Sequence, residues 1–356
     1  MRCRRLLTLL LAFALSSAPT CAGRILTKNS VAPPLYWNFL QNQALPSWVK
    51  FTRANCSPSS SCTTNARYTD AAAATFSTFA TNVPVFSSTL GLATQEARTN
   101  SFVNSGAPVT QTTGSLATGY YTLFCNGTGS ITSLGGTATV SGTGALTCNS
   151  STFQVLDVTV TGTVILTVTG SVNWADLQNL PGGATSTPTT HIVTGASATT
   201  RAVDAFSPTQ ALQQFLANNL GGASFVAEFM TESVVSYTGI ITGGGAGQFN
   251  FNIYKSGVES GHPYASIGAI TTLATCGAAV TTNSLVRYAA SAGTGDFQMS
   301  ANGSSCAGTA TNTGAISGAT SMFQAANMWI TQLAAYPYEQ PLPTLNGKTL
   351  AGANLP

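Results

Sequence analysis

Apolar and polar positions alternate with a period of two through much of this chain, above all between residues 101 and 205. Val155-Leu156-Asp157-Val158-Thr159-Val160 and Thr163-Val164-Ile165-Leu166-Thr167-Val168 flank Thr161-Gly162. That arrangement of β-branched residues around a short turn predicts a hairpin. Gly135-Gly136, Gly142 and Gly144 punctuate further strands at short spacing, and no helical periodicity competes. Strands return beyond residue 222, in Phe225-Val226-Ala227-Glu228-Phe229, Ser284-Leu285-Val286-Arg287-Tyr288 and Met328-Trp329-Ile330-Thr331-Gln332-Leu333. Phe249, Phe251 and Ile253 alternate with Asn250, Asn252 and Tyr254, as in a sheet with one buried and one polar face.

Between these regions Ser207-Pro208-Thr209-Gln210 predicts a short linking helix, with Ser207 as N-cap, Pro208 at the first helical position and Gly221 as the stop. Leu212, Phe215 and Leu216 can share one face of it. Residues 23–100, with Pro33-Pro34 and Ser57-Pro58-Ser59-Ser60-Ser61, read as an extended segment carrying short strands rather than a core of its own. The expected fold is all-β, two antiparallel β-sandwiches at 101–205 and 206–345, preceded by an irregular N-terminal segment and followed by a tail at 346–356.

Composition changes the picture in one respect. Only 6% of the 356 residues are charged, far below the usual quarter of a globular protein, while 44% are hydrophobic. Disorder is thereby disfavoured. Arg2, Arg4 and Arg5 precede the apolar run Leu6 to Leu15 and the small residues Ser16, Ser17, Ala18, Thr20 and Ala22. This is the order of a secretory signal over residues 1–22, cleaved after Ala22, and its ten-residue apolar core is too short to span a bilayer. Lipidation at Cys21 is disfavoured by Pro19. Without the three leader arginines the 13 basic residues fall to 10, equal to the 10 acidic ones. Such a balance offers no basic patch for nucleic acid.

Loss of Cys3 and Cys21 leaves Cys56, Cys62, Cys125, Cys148, Cys276 and Cys306. They fall as neighbouring couples, which predicts the disulfides Cys56–Cys62, Cys125–Cys148 and Cys276–Cys306 in an oxidising compartment. Buried free thiols are the alternative if the chain folds in a cytoplasm. No C-x-x-C spacing or nearby histidine completes a zinc set.

Phe51-Thr52-Arg53-Ala54, Arg67-Tyr68-Thr69-Asp70, Asn82-Val83-Pro84-Val85-Phe86, Leu90-Gly91-Leu92 and Glu96-Ala97-Arg98-Thr99-Asn100 follow one another in an order that resembles bacteriophage tail and other virion-associated proteins. The likeness continues through Trp174-Ala175-Asp176-Leu177-Gln178, Ala184 to Thr189 and Thr199-Thr200-Arg201-Ala202-Val203-Asp204, similar to a carbohydrate-binding-module-like sandwich. Ser224 to Phe229, Asn302-Gly303 and Met328 to Pro337 are similar to a concanavalin A-like, laminin-G-type domain. Val85 stands where that family carries arginine, and residues around His191 to Thr194 lengthen one loop. The resemblance implies a virion-borne protein that attaches to host-surface glycans, with other virion proteins as partners and a homo-oligomeric state. A secreted bacterial carbohydrate-binding or adhesion protein is the alternative, because a leader and cysteine couples are unusual for a particle assembled in a cytoplasm.

Concanavalin A-like sandwiches include glucanases, which need two carboxylates facing one substrate. Glu228 and Glu232 are the nearest pair in sequence, but on a strand four residues separate them by about 13 Å. No E-x-D-x-x-E run and no G-x-S-x-G elbow occurs, and neither His191 nor His262 has a recognisable acidic partner. No catalytic residue, metal ligand or cofactor is assigned, and Asp296 alone does not make a calcium site. Sugars are held by stacking on aromatic rings and by planar amides or carboxylates, which selects Tyr254, Asn252 and Tyr264 in the last sandwich and Tyr120 and Tyr121 in the middle one. Trp174 and Trp329 are assigned to packing, and Glu96 with Arg98 to a structural ion pair. The protein is thus expected to be a non-enzymatic binder of cell-surface polysaccharide, virion-borne or secreted; the remaining alternative is a polysaccharide-degrading enzyme that pairs acids among Asp157, Asp176, Glu259 and Asp296 at long range.

Overall fold

The computed structural model describes residues 35–54, 56–68, 75–148, 152–181, 183, 187–217, 222–232, 238–242, 249–253, 262–267, 274–275, 279–293, 296–306, 321–324, 327–353 and 355. The expected leader, Tyr254, Gly221 and Cys276 lie outside them.

Gly222–Thr231 is buried at every position, which a strand can be only when both faces of its sheet are covered. It pairs antiparallel with Leu285–Gly293 on one side and Met328–Tyr336 on the other, at the centre of an eight-stranded sheet. That sheet draws strands from far upstream: Leu35–Asn38 and Gly91–Thr94 both pair with Met328–Tyr336, and Phe86–Ser87 completes the edge. A seven-stranded sheet faces it, in which Val49–Arg53 pairs with Asp204–Pro208 and Phe249–Ile253 with Pro263–Ile267. Phe225, Phe229, Tyr288, Ile330 and Leu333 from the first sheet meet Phe51, Phe206, Ile241 and Met322 from the second in one apolar core. On the outer side of the eight-stranded sheet, helix Leu342–Thr349 and Leu355 pack over Val226, Ala289, Ala334 and Tyr336. The larger sandwich therefore takes strands from residues 35–94 as well as from 204–336.

The smaller sandwich sets a six-stranded sheet, centred on Gly119–Gly127 between Gln154–Val160 and Val172–Asn179, against a four-stranded sheet built on Ser130–Gly135 and Val164–Thr169. Leu123, Cys125, Leu156, Val158 and Leu177 from one layer pack on Ile131, Leu146, Val164 and Leu166 from the other. The chain is all-β, with short helices at Phe39–Asn42, Gln210–Ala217 and Leu342–Thr349.

Two local expectations are corrected. Gln154–Val160 and Val164–Thr169 are not a hairpin, because they belong to opposite layers. Gly162 makes a bridge to Leu116 and carries the chain across the sandwich. Alternation alone cannot separate these outcomes, since both strands bury one face either way. Likewise the helix starts at Gln210, not after a Ser207 cap. Ser207 and Pro208 are the last residues of Asp204–Pro208, opposite Lys50 and Val49. Sheet pairing over five residues outweighs one side-chain cap.

The Cys56–Cys62 and Cys125–Cys148 disulfides are formed as the spacing predicts. Cys306 is also disulfide-bonded. Cys125 sits on a strand of the six-stranded sheet, and Cys148 directly follows Gly144–Thr147 of the four-stranded one, so this bond staples the two layers. The sequence separation is 23 residues. Replacing both cysteines by alanine is expected to lower the unfolding free energy by about 3 kcal/mol. Urea denaturation reads that loss, and an unchanged midpoint would show that the staple carries no stability.

Candidate functional site

Almost every described charge points inward. Arg53 pairs with Asp204 at 3.1 Å and donates to the carbonyls of Ala80 and Val83. Arg67 pairs with Glu232, which also accepts the indole N–H of Trp329 at 3.0 Å. Arg98 pairs with Glu96 and donates to the Asn179 carbonyl, as the sequence led us to expect of that pair. Arg287 pairs with Glu228, whose other oxygen accepts from Thr331 at 2.6 Å. Arg201, fully buried, donates to Thr190 and to the Glu96 carbonyl. Burial lowers its pKa to about 10, and burial likewise raises the Asp204 carboxyl above its ordinary value.

These contacts decide the carboxylate question. Glu228 and Glu232 are each locked to a different arginine and almost wholly shielded from water. A glycosidic acid or nucleophile needs access to substrate, and neither has it. Trp174 and Trp329 are core residues.

The sequence assigned no acidic partner to His191, and that is corrected. Asp176 accepts the Nδ1–H of His191 at 2.7 Å and the Ile192 N–H at 2.9 Å. Gln178 and Asn100 donate to the same carboxylate. The imidazole stacks on Trp174, with ring centroids 4.9 Å apart, and Phe76 meets it edge-on. An Asp–His pair invites comparison with a hydrolytic triad, but His191 is 0% exposed, so no substrate reaches it. The pair holds the lengthened loop onto the outer face of the six-stranded sheet. Among the described residues no group of three or more His, Cys, Asp and Glu gathers in a way that could hold a metal ion.

The aromatic candidates separate cleanly. Asn252 and Tyr264 are register partners on adjacent strands of the seven-stranded sheet, so they share a face, although their side chains lie outside the described part. Tyr121 is 8% exposed, packs in the core of the smaller sandwich and donates its hydroxyl to the Ala117 carbonyl at 3.1 Å. Its neighbour Tyr120 points the other way and is 36% exposed. Period-two geometry makes this the necessary outcome of burying Tyr121, Leu123 and Cys125 on one face.

Directly across from Tyr120 stands Asp157, and across from Asp157 stands Ser141. Cross-strand partners in antiparallel sheets share a face at about 5 Å between Cβ atoms. Among the described side chains, Asp157 is the carboxylate that neither a hydrogen bond nor an ion pair engages. An exposed phenol ring, a free carboxylate and the exposed hydroxyl residues Ser141 and Thr159 thus line one open end of the six-stranded sheet. Sequence reasoning selected Tyr120 together with the buried Tyr121, and considered Asp157 as a long-range catalytic acid but not as a sugar-binding group, for which its signal was its outward parity within Gln154–Val160.

The class these observations define is an all-β protein of two sandwiches, most of whose described charges are buried. No protein-family model and no curated protein matches the sequence. Among solved structures, it is similar to a heptameric SAP-like pentraxin of Limulus polyphemus at 14% identity and a TM-score of 0.30, covering 38% of this chain and 73% of that one. It is similar to a Trypanosoma rangeli sialidase at 10% identity and a TM-score of 0.32, covering 41% of this chain and 26% of that one. A Bacteroides ovatus protein with a proposed carbohydrate-binding role shows 9% identity and a TM-score of 0.28, covering 69% and 78%. Likeness at that level carries no inference about ligand or activity.

If Glu232 is a structural partner of Arg67, then Glu232→Gln leaves a buried guanidinium without its counter-charge and costs about 3 kcal/mol. Adding Arg67→Met is expected to recover part of that loss. Chemical denaturation of the single and double variants checks both, and full additivity of the two changes would refute the pairing.

Proposed function

We propose that this protein is a non-catalytic binder of cell-surface glycans, carried on a phage tail or virion surface. The observation that carries the reading is the Tyr120–Asp157 pair: an exposed ring beside an unengaged carboxylate, in a chain whose other described carboxylates are held by contacts of their own. A ring offers its face to the apolar side of a pyranose, and a carboxylate accepts two hydroxyl hydrogen bonds, so the two groups together suffice to hold one sugar. The burial of Glu228, Glu232 and Asp176 supports binding without bond cleavage. The ordered resemblance to virion-associated proteins supports the location.

A second location has its own observation. The Cys56–Cys62 and Cys125–Cys148 bonds, with the leader pattern ahead of them, favour a secreted bacterial adhesion protein that uses the same face. Immunodetection in purified particles against culture supernatant separates the two locations.

The full chain is expected to be retained on an immobilised panel of bacterial surface polysaccharides and to release no reducing ends from them. No retention on any polysaccharide, at any protein concentration tested, overturns the binding reading. Release of reducing ends overturns the non-catalytic one.

A further inference from the structure

Resting on that reading, the structure assigns the Tyr120–Asp157 face a ligand class: we infer that it takes an uncharged hexopyranose and discriminates against sialylated, uronic or phosphorylated sugars.

The argument is electrostatic. Proteins that bind anionic sugars supply a guanidinium or ammonium group at the site. Here the described arginines are committed elsewhere, Arg53, Arg67, Arg98 and Arg287 to carboxylates and Arg201 to Thr190 and the Glu96 carbonyl. Within the six-stranded sheet that carries Tyr120, the cationic residues are Arg98 and Arg201, both buried at the far side from Gln154–Val160. Lys348 is tied to the Leu355 carbonyl and lies over the Tyr336 ring. Lys50 is exposed but belongs to the seven-stranded sheet of the other sandwich.

Among the described residues, what surrounds Tyr120 is instead one negative charge and a set of uncharged groups: Asp157, then Ser141, Thr159 and Val155. A second anion brought against Asp157 is repelled, with no cation among the described residues beside it to offset the repulsion, which at a surface site weakens binding by about tenfold or more. Vicinal hydroxyls of a neutral sugar meet the opposite situation. They donate to the two carboxylate oxygens as a bidentate pair while the ring face lies on Tyr120, and nothing in the contact requires a charge on the ligand.

The test uses the full chain against immobilised dextran and N-acetylglucosamine oligomers as neutral probes, with sialyllactose and polygalacturonate as anionic ones, at about 0.15 M salt so that long-range steering is screened. Neutral probes are expected to bind at least about tenfold more tightly than anionic ones. Tyr120→Ala and Asp157→Ala should each weaken neutral binding by about tenfold, Tyr120→Trp should preserve it, and Asp157→Asn should narrow the neutral-to-anionic gap. Both positions are solvent-facing, so melting temperature serves as the control for folding. Equal or tighter binding of the anionic probes overturns the ligand class while leaving glycan binding in place. Neutral binding untouched by Tyr120→Ala and Asp157→Ala overturns the site. Failure to bind any of the probes or the bacterial polysaccharides overturns the glycan reading itself.

Discussion

A guanidinium group taken out of water must find its counter-charge or its carbonyls in the folded chain, and among the described residues five arginines are buried. Taking such groups out of water costs several kcal/mol each before any pairing. The partners lie far away in sequence: Arg53 and Asp204 are 151 residues apart, Arg67 and Glu232 are 165 apart, and Arg98 closes onto Asn179 across 81. Net stabilisation from such pairs is small, but any arrangement that leaves one unpaired is heavily penalised. The pairs therefore act as a set of conditions on topology. The segment around Arg53 and Arg67 must lie against the larger sandwich, and the loop carrying Thr187 and Thr190 must fold back to receive Arg98 and Arg201.

The same commitment explains the surface. Charges spent inside are not available outside, so few of the described charged residues meet solvent. On such a surface a free carboxylate is conspicuous. Asp157 owes its freedom to the edge of the covering layer: Ala66, Tyr68 and Phe76 pack over Phe124 and Trp174, and Phe153 closes that cluster. Asp157 lies four residues beyond Phe153, at the uncovered end of the sheet.

How far the fold is legible from sequence depends on the range over which its causes act. Residue parity is local, so the alternation in Gln154–Val160 and two cysteine couples were read directly, whereas Tyr120 and Tyr121 were both selected for sugar although adjacent strand residues face opposite ways and Tyr121 is in the core. Layer assignment is not local. Thr161 to Thr163 can turn a strand back beside itself or hand it to the facing sheet, and the choice is made by Leu116, which bridges Gly162 from outside the segment. Longer range still is the pairing of Leu35–Asn38 and Gly91–Thr94 with Met328–Tyr336, across more than two hundred residues. No window of sequence contains both sides of those contacts. His191 was opaque for a related reason, since its acid, Asp176, comes from a strand, while the histidine itself rides a loop that returns across that strand.

Sites of chemistry and sites of recognition make opposite demands on a buried-charge framework, and the distinction bears on this chain. A catalytic carboxylate has to be part-buried, to tune its proton, yet open to substrate on one side. Glu228, Glu232 and Asp176 are not open to substrate, because they are buried and arginine, tryptophan, histidine and backbone donors already hold them. Recognition of a sugar asks for much less: a flat ring with an open face, a hydrogen-bond acceptor fixed by a rigid strand, and no competing partner for either. On the proposed reading, a sheet whose outer-face charges are held under a covering layer supplies such a place wherever that cover stops. Strand register fixes Tyr120 and Asp157 there side by side, so the spacing of the pair is inherited from the backbone rather than built by a loop.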